Sequence, residues 1–332
     1  MNIRVLRPGL LTTVQDLGRS GYQRYGVSVG GAMDKLSLRI ANSLVGNAEG
    51  AAALEITLLG PTLQFEGDAL IAICGGRWSP RIGETIVPMN RPVWLPATTV
   101  LAIGSADSGA RAYLAIAGGI DVPPAMGSRG TYLQAKVGGL GGRAMQAGDV
   151  LQRCRHSTLG HCIANKAAED SAWSSFGSVP WFAGLSPMGS ATTLRVLRGT
   201  EFDQLDKASQ DALFSAEFQV TTDADRMGYR LAGPTLSLTQ PAEMISAAVC
   251  AGTIQVPPEG QPILLMGDCA TTGGYPKVAH VATVDLPLAA QLKPGDFFRL
   301  REISLAEAHN LYRRQELDLR CLQTNLRLKF GA

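Results

Sequence analysis

Thr12-Thr13-Val14-Gln15-Asp16-Leu17-Gly18-Arg19-Ser20-Gly21-Tyr22 returns in shortened form as Thr221-Thr222-Asp223-Ala224-Asp225-Arg226-Met227-Gly228-Tyr229, and this echo governs the reading of the fold. Two further matches follow in the same order. Gly60-Pro61-Thr62-Leu63 pairs with Gly233-Pro234-Thr235-Leu236, and Ala147-Gly148-Asp149-Val150-Leu151 pairs with Pro294-Gly295-Asp296-Phe297-Phe298. Gly and Thr are common in turns, so each match alone is weak. Three in one order indicate an internal duplication.

The length agrees with this. A chain of 332 residues suits two domains of about 150 residues each. The expected division is a first β domain over 1–155, an Ala/Ser-rich linker without periodicity over 156–190, a second β domain over 191–302 and a helix over 303–332. Short apolar runs bounded by Gly and Pro read as strands: Ala69–Cys74, Thr99–Ile103, Ala112–Ala117, Thr193–Leu197, Pro262–Met266 and Val278–Val284. Helical signals are few. One runs from a cap at Asp34 through Leu36, Ile40 and Leu44 to Gly46, and one follows the Ser304/Glu307 capping box. A weaker one lies between Phe202 and Phe214. Helices that do not alternate with strands exclude a doubly wound sheet. The expected class is mainly β, two related barrels with a few short helices.

Composition excludes several function classes. Hydrophobic residues at 45% and charged residues at 17% fit a packed protein and not a solvating one. A net charge of +2 leaves no electrostatic footprint for nucleic acid. Gln15-Asp16 falls where a signal-peptide apolar core would continue, and no run is long enough to span a membrane. The six cysteines have no CxxC or zinc-ligand spacing, and the four histidines form no HxH or HxxxH set. A reduced, cytoplasmic protein without a bound metal is expected.

Four segments place polar side chains among glycines: Gln15–Arg19; Gly118–Arg143, with Ser128 and Arg129; Asp225–Leu231, with Arg226; and Gly252–Pro276, with Gln255, Asp268, Thr271, Thr272, Gly273, Gly274 and Tyr275. Glycine lets backbone N–H groups converge on an anion or oxyanion. Arginine adds a bidentate grip on a carboxylate. The combination suits acyl or carboxyl transfer. Each segment also has a plain structural reading: Gly-Gly-Tyr-Pro as a turn, Asp225 beside Arg226 as an ion pair, Cys269 as an inert buried thiol. The residues alone support a ligand site and no definite reaction.

The same segments, taken together, resemble one family. The resemblance runs through Thr13–Arg19, Gly31-Ala32-Met33-Asp34, Ala41-Asn42, Gly46-Asn47, Leu54-Glu55 and Gly60-Pro61. It continues through Ala117–Ile120, Gly127–Arg129, Asp225–Gly228, Gly252–Pro257 and Thr271–Pro276. The family is that of the 5-oxoprolinase C subunit, or allophanate hydrolase subunit 2, with the KipA protein and the C-terminal part of the urea carboxylase carboxyltransferase domain. The resemblance implies two cyclophilin-like β-barrel domains and a role in ATP-dependent opening of 5-oxoproline to glutamate. It implies two partners, the KipI-like B-type subunit of 5-oxoprolinase and its A-type subunit. ATP, or carboxybiotin in a urea or amide carboxylase, would come through those partners, since the chain carries no biotin-accepting motif and no ATP-grasp signature. A third alternative is a non-catalytic KipA-like regulator.

By that resemblance Arg226 and Arg19 would hold a carboxylate, and Thr271, Thr272 and the backbone of Gly273 and Gly274 would meet the oxyanion. Gln255 and Tyr275 would shape the pocket, and Asp16, Asp225 or Asp268 would orient an arginine or relay a proton. Gln15, Ser128 and Arg129 would complete the binding set. The chain departs from the family at Ala270, at Ser246-Ala247-Ala248 and at Gly130, each time losing a polar group.

Overall fold

The computed structural model describes residues 1–169, 175–184, 192–240 and 244–331. The chain forms two compact units. The first comprises Met1–Gly18, Asp34–Pro187 and Leu317–Ala332, and the second Arg19–Met33 and Met188–Glu316. The stretch 19–33 therefore belongs to the second unit, although it stands among residues of the first in sequence.

The first unit holds two six-stranded sheets. One orders its strands as Val150–Gln152, Asn2–Arg7, Thr62–Phe65, Val100–Ala102, Arg81–Ile82 and Thr85–Ile86. The other runs Gly177–Ser178, Val93–Leu95, Ala69–Trp78, Ala106–Ile116, Ala53–Thr57 and Leu11–Gln15. Ile3, Val5, Leu63 and Phe65 of the first sheet meet Val14, Leu54, Ile71 and Leu114 of the second in one core. The runs 69–74 and 110–117 are buried on both faces because helix α1 (Lys35–Leu44) packs on the far side of the second sheet. This explains why they read as continuous apolar stretches and not as alternating ones.

Helix α1 starts where the sequence places its cap: Asp34 accepts from Ser37 N–H at 2.9 Å. Asp34 N–H donates to the Tyr113 hydroxyl at 2.8 Å, and that hydroxyl donates to Glu55 at 2.7 Å. All three residues are buried. Glu55 lies directly across from Tyr113 in the sheet, so one hydroxyl ties a helix cap to a buried carboxylate. Burial, reinforced by Glu55 and Asp34, pushes the Tyr113 phenol well above its ordinary value, so it remains a donor. Tyr113→Phe should cost about 1–3 kcal/mol, the penalty of a buried polar partner left unmade. Urea unfolding would measure it, and an unchanged midpoint would mean that Glu55 finds another donor.

Residues 158–169, within the stretch expected as linker, form helix α2 (Thr158–Glu169). Its buried face is Gly160, Ile163, Ala164 and Ala167, a helical period hidden by its small side chains. The close approach is the reason for smallness: a Cβ on Gly160 would lie 2.9 Å from the Val45 carbonyl.

The second unit is a closed barrel. Its strands follow the order Thr192–Arg198, Lys277–Val281, Thr253–Gln255, Ile263–Leu265, Gly228–Ala232, Glu217–Val220 and Phe297–Glu302. The parallel pairing of Phe297–Glu302 with Thr192–Arg198 closes it and leaves no free edge. Leu194, Phe218, Tyr229, Ile254, Leu264 and Phe298 fill the interior. Helices α3 (Lys207–Ser215) and α4 (Leu286–Ala290) are short, and α5 (Leu305–Phe330) begins at the predicted Ser304 cap, whose hydroxyl accepts from Glu307 N–H at 3.1 Å.

The duplication is visible in hydrogen bonds. In the first unit Asp149 accepts from Gln146 N–H at 2.7 Å, Gly148 N–H donates to Val5 O, and Val5 N–H donates to Asp149 O. In the second, Asp296 accepts from Lys293 N–H at 3.0 Å, Gly295 N–H donates to Val220 O, and Val220 N–H donates to Asp296 O. Gly148 and Gly295 take φ of 91° and 92°. The Thr-rich echo matches likewise: Asp16 accepts from Gly18 N–H and Asp225 from Met227 N–H, each two residues on.

Candidate functional site

The sequence-predicted residues separate into three clusters. In the first unit, Gln15 ends the strand Leu11–Gln15 and donates through Nε2 to the Thr131 carbonyl at 3.0 Å and to Thr13 Oγ1 at 3.1 Å. Asp16 accepts from the Ser128 hydroxyl at 2.6 Å, Arg129 N–H at 2.6 Å and Gly18 N–H at 2.8 Å. Arg129 turns its Nε onto the Val122 carbonyl at 3.0 Å. Asp16 is thus an anchor that folds the 128–131 loop onto the strand end. Gly130 is explained by the same contacts. A Cβ there would lie 2.9 Å from both Asp16 Oδ1 and Gln15 Oε1, so a hydroxyl-bearing residue enters only if these shift.

The second cluster lies in the barrel unit, on the loop that follows Ile263–Leu265. Arg226 grips Asp268 with two bonds, Nε at 2.8 Å and Nη2 at 3.0 Å, and also donates to the Gly31 carbonyl at 2.6 Å. Backbone reinforces the pair, Asp268 N–H donating to Arg226 O at 2.8 Å. Segment 19–33 closes over this loop. Gly30 N–H donates to Gly267 O at 3.2 Å, and the Ser28 hydroxyl donates to Cys269 O at 2.7 Å. A Cβ on Gly30 would stand 3.3 Å from both Arg19 Nη1 and Asp268 Oδ1, so the second guanidinium and the carboxylate flank that glycine. Arg19 and Arg226 are 1% and 6% exposed. Both guanidinium groups thus stand beside the buried Asp268 carboxylate.

The third cluster is the turn Thr271–Tyr275. Thr272–Gly273 pairs with Ala247–Ala248 as a two-stranded ribbon. Gln255, buried on the strand Thr253–Gln255, donates to the Tyr275 carbonyl at 3.1 Å. Its amide needs Gly273: a Cβ there would come within 2.7 Å of Gln255 Nε2. Thr272 and Tyr275 are exposed and Thr271 half-buried, so these side chains form the accessible edge. The family departures Ala247 and Ala270 fall on and beside this ribbon.

Asp225 stands apart from these clusters. It is exposed and accepts from Met227 and Gly228 N–H at 2.7 and 3.1 Å, the work of a turn residue. Cys269 is a buried thiol that burial, with Cys250 and Asp268, pushes up to about 11, so at neutral pH it is not a thiolate nucleophile. Ser28 and the Gly30-Gly31 pair carry the site without having been singled out as site residues. Their only signal is two adjacent glycines between Arg19 and the Asp34 helix cap. Among the described residues no group of three or more His, Cys, Asp or Glu is placed to hold a metal ion, and no helix is long and apolar enough to cross a membrane.

Known proteins align with this geometry over nearly the whole chain. The family described as "Carboxyltransferase domain, subdomain A and B" matches residues 25–302. The chain is 39% identical over 307 residues to the 5-oxoprolinase C subunit of Haemophilus influenzae, covering 92% of this chain and 93% of that one. The Escherichia coli (strain K12) 5-oxoprolinase C subunit is 39% identical over 306 residues, with the same coverage of 92% and 93%. The Kluyveromyces lactis urea carboxylase structure superposes with a TM-score of 0.85 at 30% identity, covering 97% of this chain and 29% of that chain.

Proposed function

The chain belongs to the carboxyltransferase-domain family, subdomains A and B, and from that premise we propose that it is the C-type subunit of a 5-oxoprolinase complex that opens the 5-oxoproline lactam to glutamate at the expense of ATP. The observation that carries the reading is the 39% identity spread over 93% of a relative named for that role. The partners are a KipI-like B-type subunit and an A-type subunit, and the nucleotide reaches the reaction through them.

In this reading the 5-oxoproline carboxylate meets Arg19 and Arg226, the latter fixed by its two bonds to Asp268. Lactam opening builds negative charge on the ring carbonyl oxygen. The hydroxyls of Thr271 and Thr272 and the N–H of Gly274 meet that charge at the accessible turn, the Gly273 backbone being paired with Ala247. Gln255 holds the turn through the Tyr275 carbonyl, and Tyr275 walls one side. The first-unit set of Gln15, Asp16, Ser128 and Arg129 shapes a loop of its own. The TM-score of 0.85 to a urea carboxylase favours one second reading, a carboxyltransferase half that takes a carboxyl group from biotin carried on another chain. There the same hydroxyls and arginines would meet the carboxylate.

The test is reconstitution with the partner chains. ATP-dependent glutamate release from 5-oxoproline is expected only with all of them present. Thr272→Val should lower kcat about 10²-fold with little change in KM, the usual loss for one oxyanion donor. Turnover of urea with a biotinylated partner in place of 5-oxoproline would establish the second reading. A complex that forms but turns over neither would assign a regulatory role.

A further inference from the structure

Helix α5 (Leu305–Phe330) has an outer face that plays no part in the site above. From Leu317 onward the helix belongs to the first unit. There Leu319 and Leu326, seven residues apart, are buried, Gln323 bonds to Glu49, and the Phe330 ring stands 6.2 Å from that of Trp181. That packing occupies one side of the helix. The opposite side is also apolar. Leu317 is 58% exposed and Leu328 76%, with exposed Cys321 and Thr324 between them. Spacings of four, three and four residues align these side chains in one stripe, about 17 Å long at 1.5 Å per residue. This is the a/d seam of a helix pair, and the buried Leu319 and Leu326 fall at position f, directly behind it.

The flank of the stripe determines what can cover it. With Cys321 and Leu328 at position a, position g falls on Arg313, Arg320 and Arg327, an exposed arginine in every heptad. Among the described residues no carboxylate forms an ion pair with any of the three. A second copy of the chain does not fit this pattern. Antiparallel copies set g against g, arginine against arginine along the whole seam. Parallel copies set Arg314, at position a, against itself and gain one attractive contact, Arg313 with Asp318 at position e, while Arg320 meets Asn325. A membrane surface calls for a broad apolar face, and this stripe is one side chain wide.

We propose that this face of α5 docks an amphipathic helix of a partner chain, one that sets apolar residues on the Leu317–Leu328 stripe and carboxylates along Arg313, Arg320 and Arg327. The seam supplies the adhesion. The arginine row fixes the orientation and turns away basic partners and other copies of this chain. The proposal rests on the 5-oxoprolinase reading in its choice of probe, the B-type and A-type subunits, each offered separately to the full chain.

Cys321, in the middle of the stripe, reports on the contact. Trypsin releases it as the peptide Cys321–Arg327, so its alkylation by N-ethylmaleimide is followed by mass. With one of the two subunits present, alkylation at Cys321 should fall in proportion to the fraction of chain bound. Leu317→Asp with Leu328→Asp, at exposed positions that leave the core intact, should weaken binding about 30-fold or more. Changing Arg313, Arg320 and Arg327 to Glu together should slow association and remove its sensitivity to salt. Binding with Cys321 alkylated as fast as in the free chain would overturn the proposal and leave the complex standing. A dimer of the chain alone that Leu317→Asp dissolves would overturn it too, as would capture by phosphatidylserine vesicles that the same variant abolishes. Failure of the unaltered chain to bind either subunit would remove the complex and the docking face together.

Discussion

Arg226→Ala is expected to destabilise the barrel unit by about 3–5 kcal/mol, because it removes the two-bonded partner of the buried Asp268 carboxylate. The two side chains are 7% and 4% exposed, so water does not replace the lost partner. Asp268 is tied to the backbone of Arg226, and Arg226 to the Gly31 carbonyl, so the loop and segment 19–33 loosen together. Urea unfolding should show the lower midpoint, and amide exchange should rise first at 266–269 and then in Thr253–Gln255. Arg226→Lys should recover only part of the loss, since one ammonium cannot reproduce the two-bonded grip on Asp268 together with the Gly31 contact. The double change Arg226→Met with Asp268→Leu should fall between the Arg226→Ala and native midpoints, because it removes both charges of the pair but leaves buried Arg19 beside the emptied position. That double variant separates stability from chemistry. It should fold and yet show no 5-oxoproline turnover in the reconstituted complex. A double variant with full turnover would remove the pair from the proposed site and leave it a structural ion pair.

Much of the fold is written locally. The strands, the Asp34 and Ser304 caps and the two Gly-Asp turns each follow from spacing within a few residues, and the structure has them close to where the residues predict, except that the strand expected over Val278–Val284 ends at Val281 and gives way to a 3-10 helix at Thr283–Asp285. The family resemblance is legible for the same reason, since its motifs are contiguous. What local spacing does not carry is pairing across the chain. Helix α2 hides because Gly160, Ala164 and Ala167 are too small to announce a face, although their smallness is what lets the helix approach Val45. The chain between Gly18 and Arg19 passes from one compact unit to the other, so Asp16 and Arg19, three residues apart, serve different units. Ser28 becomes a site residue only through the Cys269 carbonyl, some 240 positions distant. The motif Asn42 with Gly46-Asn47 shows the converse. It marks the family, yet its amides bond to Glu49, Ala51 and Ile116 carbonyls and to Gly118 N–H, fixing turns and touching no candidate ligand group.

Gly142→Ala is expected to be far more damaging than Gly141→Ala, although the two glycines are neighbours with nearly the same backbone. Their φ angles are 69° and 66°, a region where an L side chain costs roughly 1–2 kcal/mol. Gly141 faces open space, so its alanine variant should lose that amount and no more. A Cβ on Gly142 would lie 2.0 Å from both the carbonyl carbon and oxygen of Lys136, which are backbone atoms that cannot swing aside. Its cost should exceed about 4 kcal/mol, the exceptional range for one substitution. Unfolding in urea, followed by the fluorescence of buried Trp78 in the same unit, measures both. The contrast also bears on function. A glycine run that cradles an anion keeps its N–H groups open, whereas here Gly142 N–H donates to Gly138 O at 2.7 Å and Gly139 N–H to Arg129 O at 3.0 Å. The 138–142 run is therefore close packing of backbone on backbone. Equal losses from the two variants, both with an intact core, would mean that the Lys136 turn yields to the added methyl and that the run is open enough to receive a ligand after all.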